Sequence, residues 1–321
     1  MTVAGPIAAA ISISGEALEK AGQKLGWWDQ IGAIKRPLPP TLLTPLPAAE
    51  VKRPILFVPG WQTPKDRFDH LLAKLTEGGA NGGSPVYVAN GQFFSDMDCR
   101  QPLKSPLQEA KVFVACFPAT NTPPHVSGPD LRKSLEAIEN LTGQAKVDVA
   151  AYSMGGLATQ VALDQGHQMG KVMMLATPNE GSSLSRSALG LLDLQQQGWN
   201  VAWLCARKPV DESDREALGW GLPMNGGSHN EQLSDLRSRW WEQRDRAEAV
   251  QLLGSNSRPT FGRYFVPAWG DGTVTEQSLR LPDTETHFLK NPVYSNHGLI
   301  FSNPETYLKM RDYFGWGGSA A

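Results

Sequence analysis

Three residues far apart in this chain have the types needed for nucleophilic chemistry. Ser153 stands in Val147-Asp148-Val149-Ala150-Ala151-Tyr152-Ser153-Met154-Gly155-Gly156-Leu157-Ala158. The segment runs apolar, turns on the serine, then resumes with apolar residues at helical spacing. Its left part reads as a buried strand and its right part as a helix start. A serine at such a junction is held in a tight strand-to-helix turn, with its hydroxyl projecting at the carboxyl edge of a sheet. Small residues two before and two after it let the backbone approach its neighbours, and Ala151 and Gly155 meet that need. The usual pattern is Gly-x-Ser-x-Gly, and Ala151 departs from it by one methyl group. An ordinary Gly/Ser turn in an α/β protein would show the same short motif.

A serine hydroxyl is a poor nucleophile at neutral pH. It needs a base within hydrogen-bond reach, and the base needs an orienting carboxylate. Asp271 lies in Gly270-Asp271-Gly272-Thr273-Val274, directly after an apolar run, where glycines leave its carboxylate at an open, mobile strand end. A simple Gly-Asp-Gly turn is the competing reading, and Asp283, Glu180 and Asp193 are the other acid candidates. Of the six histidines, His70 and His167 fall in helical patterns, His125 in a Pro-rich loop, His229 in an insertion and His287 at a strand start. His297, in Tyr294-Ser295-Asn296-His297-Gly298-Leu299, follows the last strand and precedes the last helix. A loop there can carry an imidazole over the sheet edge. The order Ser153, Asp271, His297 is that of one large fold.

The elements that must hold these residues alternate. Strands are expected at 55–58, 86–88, 112–117, 147–151 and 172–176, with helices at 66–75, 129–141 and 157–163. Strands alternating with helices imply a parallel sheet covered on both faces. From 182 to 262 the alternation stops. That stretch holds Trp199, Trp203, Trp220, Trp240 and Trp241, half of the chain's 10 tryptophans. Helices are expected there at 187–197 and 231–253, with Leu233, Leu236, Trp240, Ala247 and Leu252 on the dry side of the second. Asp211, Glu212, Asp214, Arg215 and Glu216 read as a solvated loop. The core is expected to resume with a strand at 264–269, then one at 287–289 and a helix at 304–314.

With 321 residues, 40% of them hydrophobic, the chain can bury a sizeable core. A formal net charge of −2 and the lack of a basic block argue against a nucleic-acid partner. No run reaches the roughly 18 apolar residues of a membrane span. Cys99, Cys116 and Cys205 make no metal-spaced pattern, and the readings of Cys99 bridged to Cys116 or to Cys205 both stay open. No basic residue precedes the short apolar run 7–13, so a conventional secretory signal is not expected and the cytoplasm is the favoured compartment. Residues 16–25 suit a helix, and the six prolines between Pro37 and Pro54 suit an extended connector.

Four features together resemble the α/β-hydrolase superfamily, and within it bacterial lipases and the hydrolases related to the GPI-inositol deacylase. They are Leu56-Phe57-Val58-Pro59-Gly60-Trp61, Tyr152-Ser153-Met154-Gly155-Gly156, Ala176-Thr177-Pro178-Asn179-Glu180-Gly181-Ser182, and Gly270-Asp271-Gly272-Thr273-Val274 followed by His297-Gly298-Leu299. Pro59 departs from the histidine usual before Gly60. The resemblance implies an α/β fold with a mostly parallel sheet, helices on both faces and a helical cap. It implies an N-terminal arm and connector at 1–50, core at 51–184, cap at 185–262 and core again at 263–321. It also implies ester hydrolysis through an acyl-enzyme on Ser153, with His297 as base and Asp271 as orienting acid. The backbone N–H groups of Trp61 and Met154 would form the oxyanion hole. No cofactor or metal is expected. An ester or lipid substrate is, and a peripheral contact with a lipid surface stays open. Acyl transfer and thioester hydrolysis can use the same triad, and the fold can also serve as a non-catalytic binding module.

Overall fold

The computed structural model describes residues 46, 49–104, 108–197, 210–224, 230–261, 267–290 and 295–317. The expected helix at 16–25, most of the proline-rich connector, Trp199, Trp203, Cys205 and His229 lie outside them. The chain begins with β1 (Ile55–Val58), a 3-10 turn and α1 (Asp69–Leu75), then β2 (Val86–Ala89), β3 (Gln92–Phe94) and β4 (Val112–Ala115). It continues through α2 (Pro124–Thr142), β5 (Asp148–Tyr152), α3 (Met154–Asp164) and β6 (Met169–Leu175). Four helices follow: α4 (Ser183–Gln196), α5 (Arg215–Trp220), α6 (Glu231–Ser238) and α7 (Trp240–Arg244). Last come β7 (Ala247–Gly254), β8 (Arg258–Phe261), β9 (Pro267–Gly270), α8 (Glu276–Leu279), β10 (Glu285–Phe288) and α9 (Pro304–Phe314).

Eight strands form one sheet in the order β10-β7-β6-β5-β1-β4-β2-β3, parallel except for the β2–β3 pair. Strands buried on both faces need apolar residues at every position, which is how β1 and β4 read. Alternation then divides them between two cores. Ile55 and Phe57 of β1 join Leu71, Leu75, Tyr307 and Met310 on the face covered by α1 and α9. Leu56 and Val58 join Leu131, Leu135, Ile138, Ala162 and Leu163 on the face covered by α2 and α3. From β1 the chain goes first to the far edge with β2 and β3, comes back beside β1 with β4, and then crosses to β1's other side with β5 and β6. The crevice at the carboxyl ends of β1 and β5 is therefore a topological switch point, where open α/β sheets bind ligands. Gly60 and Ser153 follow those two strands.

Several sequence expectations need correction. The helix expected over 231–253 is two short helices and then β7. Ala247 and Leu252 belong to this strand, which pairs with β6 and β10 inside the main sheet. The excursion from the sheet therefore ends near residue 246, not 262. The strand expected at 264–269 does not rejoin the main sheet. Residues 262–266 lie outside the described residues, and β9 pairs antiparallel with β8 in a separate two-stranded sheet. The helix expected from Pro129 starts five residues earlier, with Pro124 in its first turn and Pro129 inside it. His125 thus opens a helix rather than sitting in a loop. Cys99 and Cys116 are free thiols, and the contact with the Cys99 thiol, together with burial, pushes the Cys116 thiol up. No helix among the described residues is long and apolar enough to cross a membrane.

Candidate active site

Ser153 is the hinge between β5 and α3. Its backbone has φ 52° and ψ −127°, a left-sided conformation that costs a non-glycine residue roughly 1–3 kcal/mol and persists only where surroundings enforce it. The enforcement is visible on three sides. Its N–H donates to the Leu175 carbonyl of β6 at 2.8 Å. A Cβ on Gly155 would meet the Pro59 and Val58 carbonyl oxygens at 2.5 and 2.7 Å, and one on Gly156 would run into Thr177. Gly155 and Gly156 are thus what lets α3 start so close to the ends of β1 and β6. Ala151, fully buried in β5 opposite Val58, carries its methyl group without displacing that turn.

The structure brings the three chemistry-bearing residues into one chain of hydrogen bonds. His297 Nε2 lies 3.0 Å from Ser153 Oγ, and His297 Nδ1 lies 2.7 Å from Asp271 Oδ2. The other Asp271 oxygen, Oδ1, accepts from the backbone N–H groups of Thr273 and Val274 at 2.8 and 2.7 Å. Asp271 is 2% exposed, so it sits in a closed turn and not at an open, mobile strand end. Its own carbonyl accepts from His297 N–H at 2.9 Å, and the Tyr152 hydroxyl donates to the His297 carbonyl at 2.7 Å. Burial raises the Tyr152 phenol above its ordinary value, which keeps it a donor. With the carboxylate accepting from Nδ1–H, Nε2 is left to accept the Ser153 proton.

The other candidates are engaged elsewhere. Glu180 pairs with Arg237 at 2.9 Å and Asp193 with Arg215 at 2.9 Å, and Asp283 is exposed in the turn before β10, where its backbone carbonyl accepts from Arg244. His287 pairs with Glu285, His167 with Glu139 and His125 with Glu216.

The Thr177–Ser182 element ties the serine helix to the acid turn. Asn179 accepts from Gln160 of α3 at 2.8 Å and donates to the Leu279 carbonyl at 2.5 Å. Ser182 donates to the Thr273 carbonyl at 2.6 Å while accepting from Leu184 N–H as the cap of α4. Tyr152, Asn179 and Ser182 are positioning groups that residue type alone did not single out. In the sequence they stand only inside two of the stretches that resemble α/β-hydrolases, Tyr152–Gly156 and Ala176–Ser182, with no role given to any of the three.

The β1–α1 loop closes on the serine from the other side. A Cβ on Gly60 would lie 2.7 Å from Ser153 Cβ and 2.8 Å from the Tyr152 carbonyl oxygen. Trp61, next in sequence, packs with Met154, Leu157, Ala217 and Leu233, so α5 and α6 reach the elbow. Met154 is the first residue of α3, and its N–H has no acceptor within the helix. Gly60→Ala is expected to destabilise the protein by about 1–3 kcal/mol, because rigid backbone cannot yield to the added methyl. Thermal unfolding checks this, and a melting temperature unchanged within a degree would contradict the close approach.

No family model matches the sequence, and no curated protein matches it significantly. Solved structures do. A lipase of Bacillus licheniformis, BlEst2 in its propeptide form, superposes over 85% of this chain with a TM-score of 0.52 at 18% identity. The chain has the α/β-hydrolase fold. The chain spans 53% of that lipase's length. Mature BlEst2 aligns with 83% of this chain and 92% of its own at 18% identity and a TM-score of 0.49. Phospholipase PlaB of Legionella pneumophila aligns with 82% of this chain and 63% of its own at 12% identity and a TM-score of 0.47.

Proposed function

We propose that this protein is a serine hydrolase that cleaves carboxylic esters through an acyl-enzyme on Ser153. The observation that carries the reading is the hydrogen-bonded series Ser153 Oγ, His297 Nε2, His297 Nδ1 and Asp271 Oδ2, with 3.0 and 2.7 Å at its two links. Ser153 Oγ attacks the ester carbonyl carbon while Nε2 takes its proton. The carbonyl π electrons move onto oxygen, and the backbone N–H groups of Met154 and Trp61 stabilise that oxyanion. Donors aimed at developing charge act mainly in the transition state, and losing one costs about 3 kcal/mol. The imidazolium, held by Asp271, then gives its proton to the departing alkoxide as the C–O bond breaks. Water deprotonated by His297 attacks the acyl-serine, releases the acid and restores the hydroxyl.

Acyl chains are the favoured substrate portion. Trp61, Met154, Ala217, Met224 and Leu233 make an apolar wall beside the elbow, and such a wall favours hydrocarbon by about 0.8 kcal/mol per buried methylene. The helical excursion between β6 and β7 supplies three of those five residues and acts as the cap that sets chain-length preference. A labelled fluorophosphonate tests the reaction class, and p-nitrophenyl esters of rising acyl length test the substrate. The expected result is covalent labelling of the wild type at Ser153, with kcat/KM rising with chain length over the first several carbons. An unlabelled protein would refute the hydrolase reading in favour of a binding module. A flat chain-length profile would refute the apolar wall as acyl site.

A further inference from the structure

The run Asp211–Glu216 reads in the sequence as solvated charge, but Asp214 is 1% exposed. A buried carboxylate is costly unless hydrogen bonds replace its water. One oxygen, Oδ2, accepts from the Asp211 N–H at 3.1 Å, which is local capping. The other serves a distant segment. Asp214 Oδ1 accepts from Trp61 Nε1 at 3.0 Å and from Gln62 Nε2 at 2.8 Å. Local capping alone does not require a carboxylate to reach two consecutive residues about 150 positions away in the chain.

Those two residues form the loop whose backbone borders Ser153. Gln62 has φ 45°, a left-handed conformation that an isolated glutamine resists. Two grips hold it there. Gln62 N–H donates to the Thr120 carbonyl at 2.5 Å, and its side chain is anchored on Asp214. The short 3-10 turn Glu212–Asp214, which carries Asp214, is fastened to the Thr120 loop, since Asn121 donates to Ser213 Oγ at 2.8 Å. Three segments from separate parts of the chain thus meet on Asp214 and its neighbours, next to the Trp61 amide.

We infer that Asp214 is a positioning residue by which the cap sets the Trp61 N–H for the oxyanion. This rests on the serine-hydrolase reading above. The carboxylate does not touch substrate; it fixes Trp61 and Gln62 so that the amide between Gly60 and Trp61 points at the developing charge. A group that acts in this way alters the transition state more than substrate binding.

The test compares Asp214→Ala, Asp214→Asn and Trp61→Phe with wild type. Asp214→Ala is expected to lower kcat by about 10- to 100-fold, less than the roughly 10²- to 10³-fold for outright loss of an oxyanion donor, because the Trp61 N–H is displaced and not removed. KM should stay within roughly twofold of wild type, since ground-state binding is largely unchanged. A trifluoromethyl ketone, whose serine adduct carries the oxyanion, should lose affinity in the same proportion as kcat/KM. Asp214→Asn keeps an acceptor oxygen for Trp61 and Gln62 and should recover most of kcat. Trp61→Phe removes one of the two anchors and should lose several-fold, without adding to the loss in the double variant with Asp214→Ala. Unchanged kcat in Asp214→Ala and Trp61→Phe, or losses in KM alone, would overturn the inference. If Asp214→Ala does not fold, the Asn and Phe variants decide it by the same criteria. Failure of the underlying reading looks different, because the wild type itself would then neither hydrolyse esters nor take up fluorophosphonate.

Discussion

Ser153→Ala is expected to abolish ester hydrolysis, with kcat falling by about 10⁵-fold or more, while the fold and melting temperature are kept. The serine Cβ stays, so the contacts that hold the elbow remain. Only Oγ and its 3.0 Å link to His297 are lost. Alanine cannot form the acyl-enzyme, and water at the vacated position would lack the orientation that converts a bimolecular attack into a unimolecular one. Covalent uptake of fluorophosphonate should vanish with it. Circular dichroism and thermal unfolding establish that the variant is folded, and hydrolysis of a p-nitrophenyl ester gives the rate. Activity above a tenth of wild type in a folded variant would remove Ser153 as nucleophile.

The serine half of the site was legible because a strand-to-helix turn is local. Small residues, an apolar strand and an apolar helix start are all written within twelve positions. The strand at 55–58 and the helix at 304–314 were legible for the same reason, one as a buried run and the other as a proline-opened helical repeat. What the sequence hid depends on distant partners. The stretch 231–254 carries Glu242 and Arg246 four apart, which mimics a helix face, and the two do approach in the structure. Yet Ala247–Gly254 finds β6 on one side and β10 on the other, and pairing along both edges outweighs its local preference. Asp214 was misread because charge runs are ordinarily wet. Its burial comes from Trp61 and Gln62, which no spacing in the sequence connects to it. The closed setting of Asp271 was likewise hidden, since it arises from Thr273, Val274 and the returning His297 loop.

Asp271→Asn is expected to lower kcat by on the order of 10³- to 10⁴-fold, although it is nearly isosteric and should fold normally. The reason lies in what the two oxygens do. Oδ1 accepts from two backbone N–H groups, so an asparagine must place its amide oxygen there. Its NH₂ group then faces His297 Nδ1, where Oδ2 now stands at 2.7 Å. A donor at that position requires Nδ1 to be the acceptor, which moves the imidazole proton to Nε2. Nε2–H points at Ser153 Oγ and can no longer take its proton. The variant holds all three side chains in place in the wrong tautomer. His297→Ala should lose at least as much, because no group remains to move the proton. His287→Ala should stay within about twofold of wild type, since its imidazole pairs with Glu285 in β10, away from the serine. Steady-state hydrolysis of one ester by the three variants is sufficient. A dead His287 variant beside an active His297 variant would move the base to the other histidine. An Asp271→Asn variant above a tenth of wild-type activity would show that the carboxylate does not set the tautomer.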